Sequence, residues 1–249
     1  MARRSRPTRL PAPFLKALRI REDEEPLPDH YPFDLPWLDA TFTFRFEEPV
    51  TIFVGENGSG KSTLVEAVAA LVGFPLGGGG AWAGGPNAAA DGDDPGALAA
   101  RLRASWLPKI SRGWFLRAGS FEAVASILAT DHLSMSHGEG FLELMSARMQ
   151  EQGVYILDEP EAALSPRREV ELLRFLGDIQ AKGDAQVVMA THSPILMAVP
   201  GAALWRLTHR GLSRISYRDT DHFRLYQSFA ADPVHFVAQA MSGGFDDLF

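Results

Sequence analysis

The sequence predicts an α/β fold in which helices cover both faces of a mostly parallel β-sheet. Runs of four or five nearly all apolar residues are typical of strands that are buried on both faces. Such runs lie at 50–54, 154–157 and 187–190. Segments with apolar residues at helical spacing alternate with them, as at 166–176. A sheet of this kind binds its ligands at the carboxyl ends of the strands.

A polar cluster follows each of these runs directly. The clusters lie at 55–62, 158–159 and 191–193. Because the carboxyl ends of parallel strands meet at one edge of a sheet, we expect the three clusters to form one site.

The N-terminal part predicts two further strands. In 14–21, Leu18 and Ile20 alternate with charged residues, which is typical of an edge or half-exposed strand. In 41–46, phenylalanines at alternate positions share one face of a strand. The rest of the chain predicts a short helix at 97–104, a strand at 114–117, a helix at 121–128 and, within 133–150, a helix that Ser134 or Ser136 can cap. It also predicts a hairpin of 203–208 with 212–217 and helices near 221–231 and 233–241.

Composition limits the classes of function. We expect one domain over 14–249, a basic and proline-rich flexible tail at 1–13, and a flexible glycine-rich insertion near 73–96. The chain has no cysteine, which excludes disulfides, thiolate-ligated metals and cysteine nucleophiles. The net charge of −7 does not indicate nucleic-acid binding. No apolar run approaches the length of about 20 residues that spans a bilayer, so we expect a cytoplasmic protein.

The first polar cluster has the pattern G-x-x-x-x-G-K-S, which is that of a phosphate-binding P-loop. Glycines permit the tight turn, and the N–H groups of the turn then face a phosphate. A helix that begins just after the turn adds its positive N-terminal end. Lys61 supplies a charge to the β- and γ-phosphates, and Ser62 offers a hydroxyl to Mg²⁺.

The other two clusters carry the groups that phosphoryl transfer needs. In a P-loop protein, the first acid after an apolar strand supports Mg²⁺ and the second accepts a proton from the attacking water. Asp158 and Glu159 stand at these positions. His192 ends the next strand, where a polar contact to a γ-phosphate or to the water is expected.

In this order, the residues resemble the motifs of ABC-type ATPases. GENGSGKST at 55–63 looks like the Walker A motif, SHGEG at 136–140 like the signature motif, YILDEPEAALSP at 155–166 like Walker B with the D-loop, and ATHSP at 190–194 like the switch-histidine motif. The likeness covers roughly 14–230. The chain is also similar to small bacterial predicted ATPases of the AAA family that carry a single ABC-type domain.

The resemblance implies a P-loop NTPase with an ABC-type core, an N-terminal antiparallel β portion, and roles for individual residues. Phosphate contacts are implied for Gly55, Glu56, Asn57, Gly58, Ser59, Gly60, Lys61, Ser62 and Thr63. Asp158 would support Mg²⁺ together with Ser62, with Glu159 as general base and His192 as the switch. Ser136 and Gly138 would meet the γ-phosphate of ATP held by a second copy. ATP and Mg²⁺ are thus the implied ligands, and a head-to-tail homodimer the implied assembly.

Three departures from the ABC-type pattern separate the hypotheses of biological role. First, the signature carries His137 where transporters usually have glycine. Second, no glutamine lies between Lys61 and Gln150. Third, about fifteen residues separate the segment WFLRAGSF at 114–121 from the signature motif. Ser120 or Glu122 could replace the missing glutamine. The short spacing favours a soluble ATPase, related to the chromosome-maintenance ATPases of the SMC type, that acts on nucleic acid or an unknown protein partner. The alternatives are the nucleotide-binding subunit of a transporter and a slow ATP-gated switch.

The residue that contacts adenine is left open by the sequence. Tyr31, Phe33 and Trp37 precede the P-loop, where an aromatic ring could stack on a base. A place in the hydrophobic core fits each of them equally well.

Overall fold

A six-stranded sheet carries the predicted site. The computed structural model describes residues 10–22, 26–75, 95–117, 145, 149 and 151–243. The strands of this sheet are β3 (Val50–Val54), β5 (Gly113–Arg117), β6 (Val154–Asp158), β7 (Gln186–Ala190), β8 (Ala203–Thr208) and β9 (Gly211–Arg214). They lie in the order β5-β6-β7-β3-β8-β9, and only the β8–β9 pair is antiparallel. This confirms the predicted mostly parallel sheet.

A second, antiparallel sheet of three strands is formed by two strands that precede β3 in the chain and one that follows it. It consists of β1 (Leu15–Ile20), β2 (Thr43–Arg45) and β4 (Leu102–Trp106), in the order β2-β1-β4. The strand predicted at 14–21 as an edge or half-exposed strand is present, but it lies in the middle of its sheet and not at an edge. Phe14, Leu15 and Leu18 are fully buried, whereas the charged residues of the segment suggested exposure.

The segment at 97–104 departs from the predicted short helix. A helix, α2 (Pro95–Arg101), ends earlier, and β4 begins at Leu102. Leu102 is buried while Arg103 is exposed, an alternation that suits a strand pairing with β1. The partner strand lies more than 80 residues away in the sequence, so the local pattern alone did not reveal it.

The remaining helices agree with the predicted positions. They are α1 (Lys61–Val72), α3 (Pro166–Lys182), α4 (Asp221–Ala231) and α5 (Pro233–Met241). Helix α3 runs six residues past the predicted end at 176, because the buried Ile179 continues the apolar stripe of Leu172 and Leu176. None of the described helices is long and apolar enough to cross a lipid bilayer.

Some predictions fall on residues that are not described. These are the helices at 121–128 and 133–150 apart from Met145 and Met149, and the glycine-rich insertion from 76 to 94. Residues 10–13 of the predicted tail are described, and the Ala12 N–H donates a hydrogen bond to the Gly183 carbonyl (2.8 Å).

The hydrophobic core lies on both faces of the main sheet. On one face, Phe53 packs with the small sheet and α1. On the other face, Ile52 and Val54 pack with α3. The predicted common face of Phe42, Phe44 and Phe46 is confirmed, since all three are buried in the first of these clusters. Strand β3 is therefore held from both sides.

The Gln186 side chain joins the two sheets. It is fully buried at the start of β7. Its Oε1 accepts hydrogen bonds from the N–H groups of Phe14 and Leu15 (both 2.8 Å), and its Nε2 donates to the Leu15 carbonyl (3.1 Å). Three buried backbone groups of the small sheet thus depend on one amide of the main sheet.

We predict that Gln186→Leu lowers the free energy of unfolding by about 3 kcal/mol, because buried backbone groups are left without partners. Urea denaturation measures this. The matched control is Gln227→Leu on the exposed side of α4, which should change stability by less than about 0.5 kcal/mol. Equal effects of the two substitutions would contradict a linking role for Gln186.

Candidate functional site

The loop between β3 and α1 has the backbone conformation that its glycines permit. Gly55 and Gly60 have φ angles of 151° and 88°. A Cβ atom on Gly55 would lie 2.4 Å from the Leu207 carbonyl oxygen, and one on Gly60 would lie 2.9 Å from the ring nitrogen of Trp37. Any side chain at these two positions would therefore push the loop off its support.

Lys61 brings a buried positive charge into this loop. The residue is 4% exposed, and its Nζ donates hydrogen bonds to the carbonyls of Gly55 (2.8 Å) and Glu56 (3.0 Å). Burial lowers the pKa of Lys61, and the charges of Glu159 and Asp158 oppose that shift. The nearby Ser59 Oγ is also buried without a hydrogen-bond partner among the described residues. A bound anion would satisfy both groups.

Ser62 and Asp158 connect the loop to the end of β6. The Ser62 hydroxyl donates to Asp158 Oδ1 at 2.9 Å, and Asp158 is 3% exposed. Burial raises the pKa of Asp158, while the hydrogen bond from Ser62 and the charge of Arg117 lower it. A hydroxyl and a carboxylate are hard oxygen ligands. They suit Mg²⁺, which usually keeps several waters and takes few ligands from the protein.

Glu159 has an unusual backbone conformation. Its φ and ψ are 48° and 53°, and it is the one non-glycine residue with positive φ in the described part of the chain. Its N–H donates to the Ala190 carbonyl (2.9 Å) at the end of β7. The side chain remains 43% exposed, and its Oε1 lies 3.7 Å from His192 Nε2. Such a conformation costs about 1–3 kcal/mol and is common at functional sites.

Glu161 holds the ends of β6 and β7 together, and the sequence reasoning missed it. Its carboxylate accepts hydrogen bonds from the Thr191 hydroxyl (2.8 Å) and the His192 N–H (2.5 Å). Burial raises the pKa of Glu161, and these hydrogen bonds oppose the rise. Glu161 thereby fixes the backbone that presents His192. The available signal was an acid two residues after Glu159, within the DEPE string.

His192 makes a contact that no sequence motif indicated. Its Nδ1 lies 3.4 Å from Nε2 of His222 on α4. Burial and the charge of Lys61 lower the pKa of His192 below its usual 6.5. Burial likewise lowers the pKa of His222. Both shifts favour the neutral form of each ring.

A cavity of about 490 Å³ adjoins the loop on the side of β8. Its walls are formed by Pro36, residues 55–59, residues 206–210 and Asp221.

The aromatic residues that could contact adenine have different environments. Trp37 and Phe33 belong to the hydrophobic core, and Trp37 Nε1 donates to the Ser59 carbonyl (2.9 Å). Tyr31 is 41% exposed, and its hydroxyl pairs with that of Thr63.

The structure thus brings the three polar clusters together, as predicted. The contacts above link five of the predicted site residues: Lys61, Ser62, Asp158, Glu159 and His192. The other predicted positions lie outside the described residues; they are Ser120, Glu122, Ser136, His137 and Gly138.

Arg117 is a further residue that the sequence reasoning missed. Its Nη1 lies 2.8 Å from Glu66 and its Nε 3.6 Å from Asp158.

We predict a pH-dependent stability difference between the wild type and Glu161→Gln. The pKa of Glu161 in the folded state lies above its ordinary value of 4.5. Its contribution to stability is therefore fully present below about pH 4.5 and is lost as the pH rises through the folded-state pKa. Because glutamine does not titrate, the unfolding free energy of the wild type should fall relative to that of the variant over this range. Urea denaturation at several pH values measures the difference, and a rise with pH would contradict the prediction.

Three solved structures resemble this chain in overall fold. A putative metal-chelate type ABC transporter in an inward-facing conformation is 18% identical, with a TM-score of 0.48, over 82% of this chain and 84% of its own. The SMC head domain from Thermotoga maritima is 16% identical, with a TM-score of 0.47, over 82% and 99%. CbiO1 from Clostridium perfringens, part of an ABC transporter complex, is 13% identical, with a TM-score of 0.46, over 91% and 99%. With TM-scores below 0.5, these likenesses carry no argument about substrate or partner.

Family models match two stretches of the sequence, whereas no curated protein matches it. One model, described as an AAA domain, matches 35–80. The other, described as an AAA domain, putative AbiEii toxin, type IV TA system, matches 123–198. The first stretch contains the phosphate loop with Lys61 and Ser62, and the second contains Asp158, Glu159 and His192. Both stretches of this chain are thus similar to AAA domains.

Proposed function

We propose that the chain binds ATP with Mg²⁺ and hydrolyses it to ADP and phosphate. The observation that carries this proposal is the convergence of a buried lysine, a serine–aspartate pair and a glutamate–histidine pair at adjoining strand ends. The Ser62–Asp158 hydrogen bond of 2.9 Å and the Glu159–His192 distance of 3.7 Å define the two pairs. A nucleoside triphosphate with its metal ion has groups that match each part.

The phosphates would lie on the N–H groups of the loop, with Lys61 as their counter-charge. Lys61 now donates to two carbonyls of its own loop, so its charge lacks a buried anionic partner at hydrogen-bond distance in the described part of the chain. The nucleoside would extend into the adjoining cavity of about 490 Å³, beside Pro36 and Arg206. The buried positions of Trp37 and Phe33 do not favour stacking of either ring on the base.

Ser62 and Asp158 would hold the metal ion. When bound, Mg²⁺ would neutralise the charge that the β- and γ-phosphates carry. The Asp158 carboxylate is positioned for this by the Ser62 hydroxyl (2.9 Å) and by Arg117 (3.6 Å).

Glu159 would act as the general base for hydrolysis. It would accept a proton from the water whose oxygen forms a bond to the γ-phosphorus, as the bond from that phosphorus to the bridging β–γ oxygen breaks. The exposed carboxylate is held at the end of β6 by the hydrogen bond from its N–H to Ala190. His192 would donate a hydrogen bond from Nε2 to a γ-phosphate oxygen.

Two copies would close head to tail around two ATP molecules. This part of the proposal rests on the resemblance of SHGEG to a signature motif, with Ser136 and Gly138 reaching the γ-phosphate held by the second copy. The two contacts would be equivalent, as in any twofold assembly. ATP binding without phosphate release would instead indicate the ATP-gated switch.

We predict that Lys61→Ala weakens ATP binding at least about 100-fold, because the buried counter-charge of the phosphates is lost. Fluorescence titration with a labelled ATP analogue measures the dissociation constant. Lys109→Ala removes an exposed lysine and should bind ATP as the wild type does. Wild-type affinity in Lys61→Ala would place the nucleotide elsewhere.

We predict that Glu159→Gln binds ATP normally, hydrolyses it at least about 100-fold more slowly, and accumulates as a dimer with ATP, because the amide cannot accept the proton. Phosphate release measures the rate of hydrolysis, and light scattering measures the accumulation of the dimer. Glu151→Gln, at a carboxylate that is 73% exposed, is the matched control and should keep the wild-type rate. Unchanged turnover in Glu159→Gln would remove the general-base role.

A further inference from the structure

The first turn of α4 is fixed to the body of the protein. Thr220, the residue that caps α4, is 1% exposed. Its hydroxyl donates to the Tyr217 carbonyl (2.7 Å) and accepts from the Phe223 N–H (3.2 Å). Asp221 Oδ1 also lies 3.8 Å from Nη1 of Arg206, which lines the cavity beside the phosphate loop. The backbone that carries His222 therefore has a defined position.

Beyond this turn, the C-terminal helices α4 and α5 bury little of their surface against the rest of the described chain. Neither α4 nor α5 contains a buried residue. His222 is half-buried, with its ring centroid 5.6 Å from that of His192. It therefore gives α4 a direct side-chain contact with the proposed catalytic residues.

The geometry around His192 distinguishes its two neutral tautomers. Its Nε2 lies 3.7 Å from the Glu159 carboxylate and has no hydrogen-bond partner among the described residues. A lone pair on Nε2 would face the negative charge of that carboxylate, whereas an N–H would be attracted to it. The favoured tautomer therefore carries the proton on Nε2 and leaves Nδ1 as an acceptor.

His222 supplies the donor that this tautomer needs. Its Nε2 lies 3.4 Å from His192 Nδ1, a long hydrogen bond of the kind found before a substrate tightens a site. If the proton were on His192 Nδ1 instead, Nε2 would present a lone pair to Glu159 and to a phosphate. Charged groups also surround the two histidines. Lys61 and Glu56 lie near both rings, Glu159 lies near His192, and Asp221 lies near His222.

We propose that His222 is a positioning residue that holds the His192 ring in its Nε2–H tautomer, so that this N–H points towards the γ-phosphate side of the site. The proposal rests on the proposed ATP hydrolysis. His222 acts through His192 and takes no part in bond making. The first turn of α4 thus becomes part of the ATPase site, although it lies 160 residues after the phosphate loop.

The first test is a set of three substitutions. His222→Phe keeps a ring but removes the donor, and should lower kcat about tenfold with little change in the KM for ATP, because ground-state binding does not depend on this N–H. The side-chain amide nitrogen of glutamine lies about where Nε2 of histidine lies, whereas that of asparagine corresponds to Nδ1. His222→Gln should therefore recover most of the rate, and His222→Asn should not.

His235→Phe is the matched control, since His235 is an exposed histidine on the neighbouring helix α5. It should keep the wild-type kcat. A kcat for His222→Phe that equals the wild-type value would overturn the proposal, and so would equal rates for His222→Gln and His222→Asn.

A double-mutant cycle separates positioning from a general structural effect. Glutamine at position 192 carries its own donor near the Nε2 position and has no tautomers. In a His192→Gln background, His222→Phe should therefore cause less than about a twofold further loss of kcat. A full tenfold loss in that background would show that His222 acts independently of His192.

A spectroscopic measurement tests the tautomer without any turnover. Long-range ¹H–¹⁵N correlation spectra distinguish Nε2–H from Nδ1–H imidazoles, and His192→Gln assigns the His192 signals. The wild type should show the Nε2–H form, and His222→Phe should show a mixture. If the wild-type chain releases no phosphate, the proposed hydrolysis fails, but this spectrum still decides the role of His222. A wild-type Nδ1–H signal would overturn it.

Discussion

A buried ammonium group with no carboxylate at hydrogen-bond distance among the described residues is the constraint on which the site depends. Lys61 is 4% exposed, and its closest partners in the described chain are two carbonyl oxygens of its own loop. Burying a charge in this way is costly, and it lowers the pKa of the lysine. Packing on both faces of β3 supplies the rigidity that keeps the charge in place. The folded chain therefore holds a buried positive charge beside the end of β3, which a bound anion would satisfy.

The polar side chains of the candidate site owe their positions to neighbouring strand ends. β3, β7 and β6 lie side by side, and a hydrogen-bonded contact crosses between their ends at each step. Thr191 N–H donates to Phe53, Glu159 N–H donates to Ala190, and Glu161 accepts from Thr191 and His192. Because these contacts use backbone groups or a buried carboxylate, they do not involve the side chains of Glu159 and His192.

Features set by local patterns could be predicted from the sequence, whereas features set by distant partners could not. The strand–loop–helix unit around Lys61 follows from apolar runs and glycine spacing within twenty residues. The central position of β1 depends on pairing with β4, and the role of Glu161 depends on the approach of two loops. The contact of His222 with His192 crosses 30 residues and follows no spacing rule. Local sequence carries no record of such contacts.

The left-handed backbone of Glu159 has a consequence for how the chain would evolve. Glycine would adopt this conformation without steric strain, so replacing Glu159 by glycine would release about 1 kcal/mol of stored backbone energy. Stability alone would thus favour loss of the carboxylate at this position. Where selection for this carboxylate is absent, substitution of Glu159 by glycine or asparagine would be favoured. The persistence of glutamate at position 159 in related sequences would therefore report selection for its chemistry rather than for folding.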